Sequence, residues 1–298
     1  MRSDEHVDGV FACTRKERQI SRAGAPYLTL ELRDSTGTIV GRAFRDADLL
    51  AGRFERGELV RVRGRVERFR EQLQIDVHAI ARAQDADPTR FLPTAYRDLD
   101  ELEGFLEHQV REVYEPGLRT LLERLLADRE LRRALRLAPC SLPAGASSGG
   151  RGQSLRHHAY LGGLLEHTVA VATLARELCD LHRRLNSDLL LTAAIVHDLG
   201  HIREFTYGAE IGLTDEGRLL GHLTLGQQLL SERFAALGEA LDSPRRLALL
   251  HCVLAHHGPA GVPGGRFGSA EALALYRVNA LDAGVKGALE HGLGAAPD

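Results

Sequence analysis

Leu189-Leu190-Leu191-Thr192-Ala193-Ala194-Ile195-Val196-His197-Asp198 is an apolar run that ends in an imidazole beside a carboxylate. A helix that is apolar on every side belongs in a core. The run therefore predicts a central helix whose C-terminal end delivers His197 and Asp198 to the interior. A divalent metal ion needs several neutral imidazoles and a carboxylate converging on one point. Further candidates flank the run in order: His167 before it, then His222, His256-His257, Asn279 and Asp282 after it.

Each of these falls on a helix or at a helix edge. Leu164, His167, Val171, Leu174 and Leu178 form one stripe of a helix starting near Ala159, so His167 faces inward. His222 opens a helix running from about Leu219 to Phe234. His256 and His257 close another that starts at Pro244 and stops at Gly258-Pro259. Glu271 to Leu289 supplies the last helix, with Asn279 within reach of a common centre and Asp282 almost a turn further on. A buried histidine taken alone is more often a hydrogen-bonded core residue than a ligand. The ordered series argues for a helical bundle with a metal centre of one or two ions. Asp198 is the natural bridge, since each of its oxygens can face a different ion. His182, His251 and His291 read as solvated or capping residues near helix ends, outside the metal series.

The first part of the chain alternates instead. In Tyr27-Leu28-Thr29-Leu30-Glu31-Leu32 the leucines point one way, Asp34-Ser35-Thr36-Gly37 is a turn, and Thr38 to Phe44 follows as a strand. Val60, Val62 and Val66 share one face of the next strand, and Leu73, Ile75 and Val77 alternate again. About five short strands in some eighty residues suggest a small barrel of the oligonucleotide/oligosaccharide-binding (OB) kind. Arg61, Arg63 and Arg65 line the outward face opposite the valines, with Phe69 beyond them and Tyr27 outward on its own strand. Basic side chains with interspersed aromatics can follow a phosphate backbone and stack bases, although an arginine-rich chain also places arginines on any exposed strand.

The expected organisation is a multidomain chain: an all-β OB barrel over 1–84, a linker and helical connector over 85–152, and an all-α bundle over 153–298. Two helices are expected in the connector, one with Leu99, Leu102, Phe105, Leu106, Val110 and Val113 on its face, and one from Leu118 to Leu137. They are able to pack on the bundle or on a second copy of the chain. Pro139 to Gly152 reads as a loop, flexible or wrapped over the site.

Composition sets the outer bounds. The 298 residues are 44% hydrophobic and 27% charged, with a formal net charge of −3, so any nucleic-acid contact must come from a local patch. Nothing approaches the roughly 18 uninterrupted apolar residues of a membrane span, and the polar start of the chain argues for a cytoplasmic protein. Cys13, Cys140, Cys179 and Cys252 lack CxxC spacing and read as reduced core thiols. Lys16 and Lys286 are the only lysines.

His167, His197-Asp198, His222, His256 and the Asn279/Asp282 segment resemble the HD-domain metal-dependent phosphohydrolases. With the barrel ahead of them, and with Val62-Arg63-Gly64, His157-His158-Ala159-Tyr160, Gly162-Gly163-Leu164, Leu219-Leu220-Gly221-His222 and His256-His257-Gly258, the chain is similar to the YhaM-type 3'-5' exoribonucleases. The resemblance implies a cytoplasmic enzyme that trims single-stranded RNA, with single-stranded DNA as an alternative substrate, from the 3' end to nucleoside 5'-monophosphates. It implies one or two divalent ions, manganese first, with Fe2+, Co2+, Ni2+, Zn2+ and Mg2+ as alternatives. His167, His197, Asp198 and the residue at 279 would hold one ion. Asp198, His222 and His256, with or without His257, would hold the other.

Two positions depart from the family pattern. Asn279 stands where an aspartate is usual, leaving Asn279 or Asp282 to complete the first site. His201 stands where a lysine is common. With Asp198 at the catalytic centre, His201, His158 and Arg203 are the candidates to hold the scissile phosphate. Two other readings stay open: a phosphohydrolase acting on nucleotides or a cyclic nucleotide, and a non-catalytic single-stranded nucleic-acid-binding protein.

Overall fold

A computed structural model describes residues 3–21, 24–34, 36–70, 72–143 and 157–292. Most of the loop read from Pro139 to Gly152 lies outside the described residues. The chain divides into two units: Met1–Pro93 with Thr206–Gly212, and Thr94–Phe205 with Leu213–Asp298.

In the first unit, β1 (His6–Ile20), β2 (Pro26–Asp34), β3 (Gly37–Ala43), β4 (Leu59–Phe69) and β5 (Gln72–Arg82) close a barrel in the order β1-β2-β3-β5-β4. Only the β3–β5 pair is parallel. The period-two pattern explains the closure. Leu28, Leu30 and Leu32 of β2, Val60, Val62 and Val66 of β4, and Ile75 and Val77 of β5 are all buried inside. Gly64 occupies an inward position of β4 where any side chain would run into the Asp76 carbonyl. A short helix α1 (Ala47–Ala51), not anticipated from the sequence, joins β3 to β4.

The second unit is helical: α2 (Leu99–Arg111), α3 (Pro116–Ala127), α4 (Arg129–Leu137), α5 (Gly163–Leu181), α6 (Ser187–Val196), the single turn α7 (His201–Glu204), α8 (Asp215–Leu237), α9 (Ser243–Ala255) and α10 (Ala270–His291). In chain order between α7 and α8, β6 (Phe205–Tyr207) and β7 (Ile211–Leu213) pair as a small hairpin, most of which, Thr206–Gly212, belongs to the first unit. All of Leu189 to Val196 in α6 is buried, as an apolar run without a polar face requires.

Three local features differ from the sequence reading. The helix expected over Leu118 to Leu137 is two, because Asp128 leaves helical geometry and accepts from Glu130 N and Leu131 N to cap α4. The helix expected near Ala159 starts at Gly163, since His158 and Gly162 both take positive φ (49° and 78°) and turn the chain beforehand. The stretch over 99–137, set apart as a connector, shares one core with the bundle. Leu102, Leu106, Leu121, Leu131 and Leu135 are buried together with residues of α5, α6, α8, α9 and α10. No helix of the described residues is long and apolar enough to cross a membrane.

Candidate metal centre

α5 is amphipathic enough to turn His167 fully inward, and α6 ends just ahead of His197 and Asp198. α8 is broken at Gly221 (φ 71°), so His222 begins its second segment aimed at the same point. Gly200 lets that segment approach, since a side chain there would collide with the His222 carbonyl. α9 stops before His256 and His257, and α10 contributes Asn279 and Asp282.

The two oxygens of Asp198 face different partners. Oδ2 lies 3.3 Å from His197 Nε2 and 3.6 Å from His167 Nε2, while Oδ1 lies 3.0 Å from His256 Nε2 and 3.6 Å from His222 Nε2. Asn279 Oδ1 is 3.0 Å from His167 Nε2, which is itself 3.2 Å from His197 Nε2.

Hydrogen bonds on the far side of each ring settle which atoms carry protons. His197 Nδ1 donates to the Ala194 carbonyl (2.8 Å), His256 Nδ1 to the Val253 carbonyl (2.6 Å), and His167 Nδ1 to Asp282 Oδ2 (2.6 Å). A carbonyl or carboxylate only accepts, so in the neutral form that binds a metal each ring presents a lone pair on its inward Nε2. Asn279 Nδ2 donates to the His256 carbonyl (3.4 Å), which turns its oxygen inward as well. Lone pairs thus meet lone pairs. Asp198 Oδ1 and His256 Nε2 are buried without a hydrogen-bond partner. An unpaired buried acceptor is costly, whereas a cation among these donors satisfies all of them. Ligand atoms around a six-coordinate ion at about 2.1 Å stand about 3 Å apart, which fits the spacings seen. The residues present therefore suit a divalent ion on each side of Asp198.

The electrostatics agree at Asp198, His256 and His257 and run the other way at His197 and His222, which, against burial, Asp198 and Glu204 respectively hold above the usual histidine range. Burial would raise the Asp198 carboxyl, but the rings of His197, His256 and His201 hold it well below the usual carboxylate range. Burial pushes His256 down to about 4 and His257 to about 3, leaving both neutral and able to ligate near neutral pH.

Glu204, which sequence reasoning missed, is buried beside this centre. Its carboxylate accepts from His201 Nδ1 and lies 3.9 Å from His222 Nδ1. Burial opposes its ionisation, but the hydrogen bond from His201 and the nearby His222 ring bring it down to about 2. The spacing of one helical turn from His201 was the available signal. His201 Nε2 lies 3.7 Å from Asp198 Oδ2, and His257 Nε2 2.8 Å from His222 Nε2. Asp282 sits on the Nδ1 side of His167, away from Asp198, so Asn279 and not Asp282 faces the centre. The other two phosphate candidates have partners of their own. His158 Nδ1 is 3.9 Å from Asp282 Oδ2, on that same outer side of His167, because the left-handed turn at His158 directs it there. Arg203 is paired with Glu232 at 2.9 Å.

On the barrel, Arg61, Arg63 and Arg65 are outward and exposed, yet acids of β1 and its lead-in already engage them. Asp8 accepts from Arg61 (2.7 Å) and Arg63 (3.0 Å), and Asp4 lies 3.0 Å from Arg65. Tyr27 stacks on Phe44 (centroids 5.4 Å apart), a partner not foreseen, and Phe69 lies under the guanidinium of Arg42 at 5.1 Å.

Residues 164–284 match the model of the HD domain, and residues 13–81 that of an OB-fold nucleic acid binding domain. The chain thus carries an HD domain behind an OB-fold nucleic-acid-binding domain. Over most of its length it is similar to the proteins that its motifs resemble. It is 28% identical over 295 residues to the 3'-5' exoribonuclease YhaM of Shouchella clausii, covering 95% of this chain and 85% of the relative. The YhaM proteins of Bacillus subtilis (28%) and Bacillus velezensis (29%) each align over 259 residues, 86% of this chain and 77% of the relative.

Proposed function

We propose that this chain is a metal-dependent 3'-5' exoribonuclease that hydrolyses single-stranded RNA to nucleoside 5'-monophosphates. The carrying observation is the set of inward lone pairs around the two oxygens of Asp198, which calls for cations on both sides. His167, His197, Asp198 and Asn279 would hold one divalent ion, and Asp198, His222 and His256 the other, with His257 beside His222. Divalent ions held by these residues would supply charge neutralisation for a phosphodiester and an activated water, so no side-chain nucleophile would be required. Manganese is the ion we assign from the resemblance to the YhaM-type exoribonucleases; the mixed imidazole, carboxylate and amide donor set is open to other divalent transition ions as well.

The chain's own groups do the positioning. The Ala194 and Val253 carbonyls and Asp282 fix the tautomers of His197, His256 and His167. Glu204 accepts from His201 Nδ1 and so fixes that ring beside Asp198 with a lone pair on Nε2; a contact from His201 to the scissile phosphate would call for the protonated ring. In the barrel, Tyr27 and Phe69 are assigned to base stacking, worth roughly 1–3 kcal/mol per base, and Arg61, Arg63 and Arg65 to the phosphate backbone. All four cysteines are unbridged, which suits the reducing cytoplasm where we place the reaction.

The test is digestion of a 5'-labelled single-stranded RNA with added Mn2+, beside Asp198→Ala and a panel of nucleotides. The expected result is stepwise shortening from the 3' end with 5'-monophosphates released, and at least about a 100-fold loss in the variant. Full activity after complete chelation would overturn the reading. Hydrolysis of nucleotides but not of RNA would move the assignment to a nucleotide phosphohydrolase.

A further inference from the structure

The segment after α4 is zipped to the segment before α5 and to the first turn of α5 by main-chain and side-chain bonds. Cys140 N donates to the His158 carbonyl (3.1 Å), Ser141 Oγ to the His157 carbonyl (2.9 Å), and Leu164 N to the Ala138 carbonyl (2.9 Å). This pairing sets the buried Cys140 beside two consecutive histidines. Neighbouring side chains of an extended strand point to opposite sides. His158 instead takes a left-handed φ of 49°, and its ring meets that of His157 with Nδ1 atoms 3.2 Å apart. A non-glycine residue in this region is uncommon and is held there by its surroundings.

We infer that Cys140, His157 and His158 form a third cation site, separate from the pair around Asp198 and selective for a thiophilic divalent ion of the zinc type. Cys140, His157, His158 and His167 each place one donor atom within 4.8 Å of one another. Two imidazole nitrogens at about 2.05 Å from a tetrahedral ion stand about 3.3 Å apart, close to the spacing of the two Nδ1 atoms. Sulfur sets the preference, since a thiolate selects zinc-like ions over the hard ions that carboxylates take. His167 has its Nδ1 committed to Asp282 and its Nε2 turned to Asp198, so Cys140, His157 and His158 are the three ligands. Asp282 Oδ2 lies 3.9 Å from His158 Nδ1 and accepts from His167 Nδ1, so the fourth position is left to water or buffer. On binding, the S–H bond breaks, its proton passes to buffer, and the sulfur lone pair forms the bond to the ion. Nothing in this site depends on the nuclease reading.

The experiment uses the full chain saturated with Mn2+ and titrated with Cd2+, whose thiolate complexes absorb in the ultraviolet. One equivalent should produce a sulfur-to-metal band in the parent chain and in Cys252→Ala, and none in Cys140→Ala. His157→Ala should weaken Cd2+ binding at this band by about tenfold or more. Hydrolysis supported by Mn2+ should be unchanged in Cys140→Ala. A parent chain without the band, or a band that survives in Cys140→Ala, overturns the site. Should Cys140→Ala fail to fold, an unaltered band affinity in His157→Ala does the same. None of the spectroscopic readouts requires RNA cleavage, so failure here and failure of the exonuclease assignment are told apart.

Discussion

Asp198 Oδ1 and His256 Nε2 lie 3.0 Å apart in the core, and neither has a hydrogen-bond partner. The reason is the Val253 carbonyl behind the ring, which takes the imidazole proton on Nδ1 and leaves a lone pair facing a carboxylate. Such an arrangement persists because α9 and the end of α6 are locked by packing around it. Its natural complement is a cation, and the first three outcomes below rest on that or on the barrel surface.

On the proposed reading Asn279 would bring an uncharged oxygen to the ion position it shares with His167 and His197, which should make that position the weaker of the two. Asn279→Asp should tighten the weaker Mn2+ site by about tenfold or more, equivalent to about 1.4 kcal/mol. Isothermal titration of metal-stripped protein measures this. The same variant should melt lower than the parent without metal, because a second carboxylate then faces Asp198, and higher with Mn2+ bound.

Glu204 acts through His201 and His222. Glu204→Gln should cost about 10–100-fold in Mn2+ affinity or turnover. Raising Mn2+ should recover the part due to affinity and leave a residual defect from the freed His201 ring. Parent-like activity at limiting Mn2+ would show that the carboxylate is only a structural partner.

Asp8 ties up two arginines of β4. Asp8→Asn should strengthen binding of single-stranded RNA and steepen its salt dependence by about 0.7 in the log–log slope for each guanidinium freed. Anisotropy of a labelled oligonucleotide over a salt series reads both. Weaker binding with an unchanged slope would place the RNA interface elsewhere on the barrel.

Asp128 caps α4 and pairs with Arg233 at 2.7 Å. The backbone N–H of Leu131, together with Arg233, lowers its carboxyl below the ordinary value. A lowered folded pKa means that its stabilisation is complete above the unfolded value of about 3.9 and disappears as pH falls through the folded one. Asp128→Ala should therefore cost about 1–2 kcal/mol at neutral pH. The difference in urea midpoint from the parent should narrow as the pH is lowered below about 4.

Much of this architecture is legible in one dimension because burial follows local periods. Alternation in β2 and β4 predicts the barrel interior, and the unbroken apolar run of α6 predicts a central helix delivering His197 and Asp198 inward. The histidine series is visible for the same reason, each member lying on a helical stripe or at a helix end. Asp128 is less legible, since a capping carboxylate within a helical periodicity leaves that periodicity intact on both sides.

Tertiary structure alone decided the rest. Which nitrogen of each imidazole faces the centre depends on carbonyls and carboxylates behind the rings, and no spacing rule encodes those. The engagement of Arg61 and Arg63 by Asp8 follows from the pairing register of β1 on β4, between residues more than fifty positions apart. Cys140 meets His157 and His158 only because main-chain bonds zip two distant segments beside α5. Periodicity records which side of an element is buried; pairing and packing across the chain choose what meets there, and the chemistry of the centre belongs to that second choice.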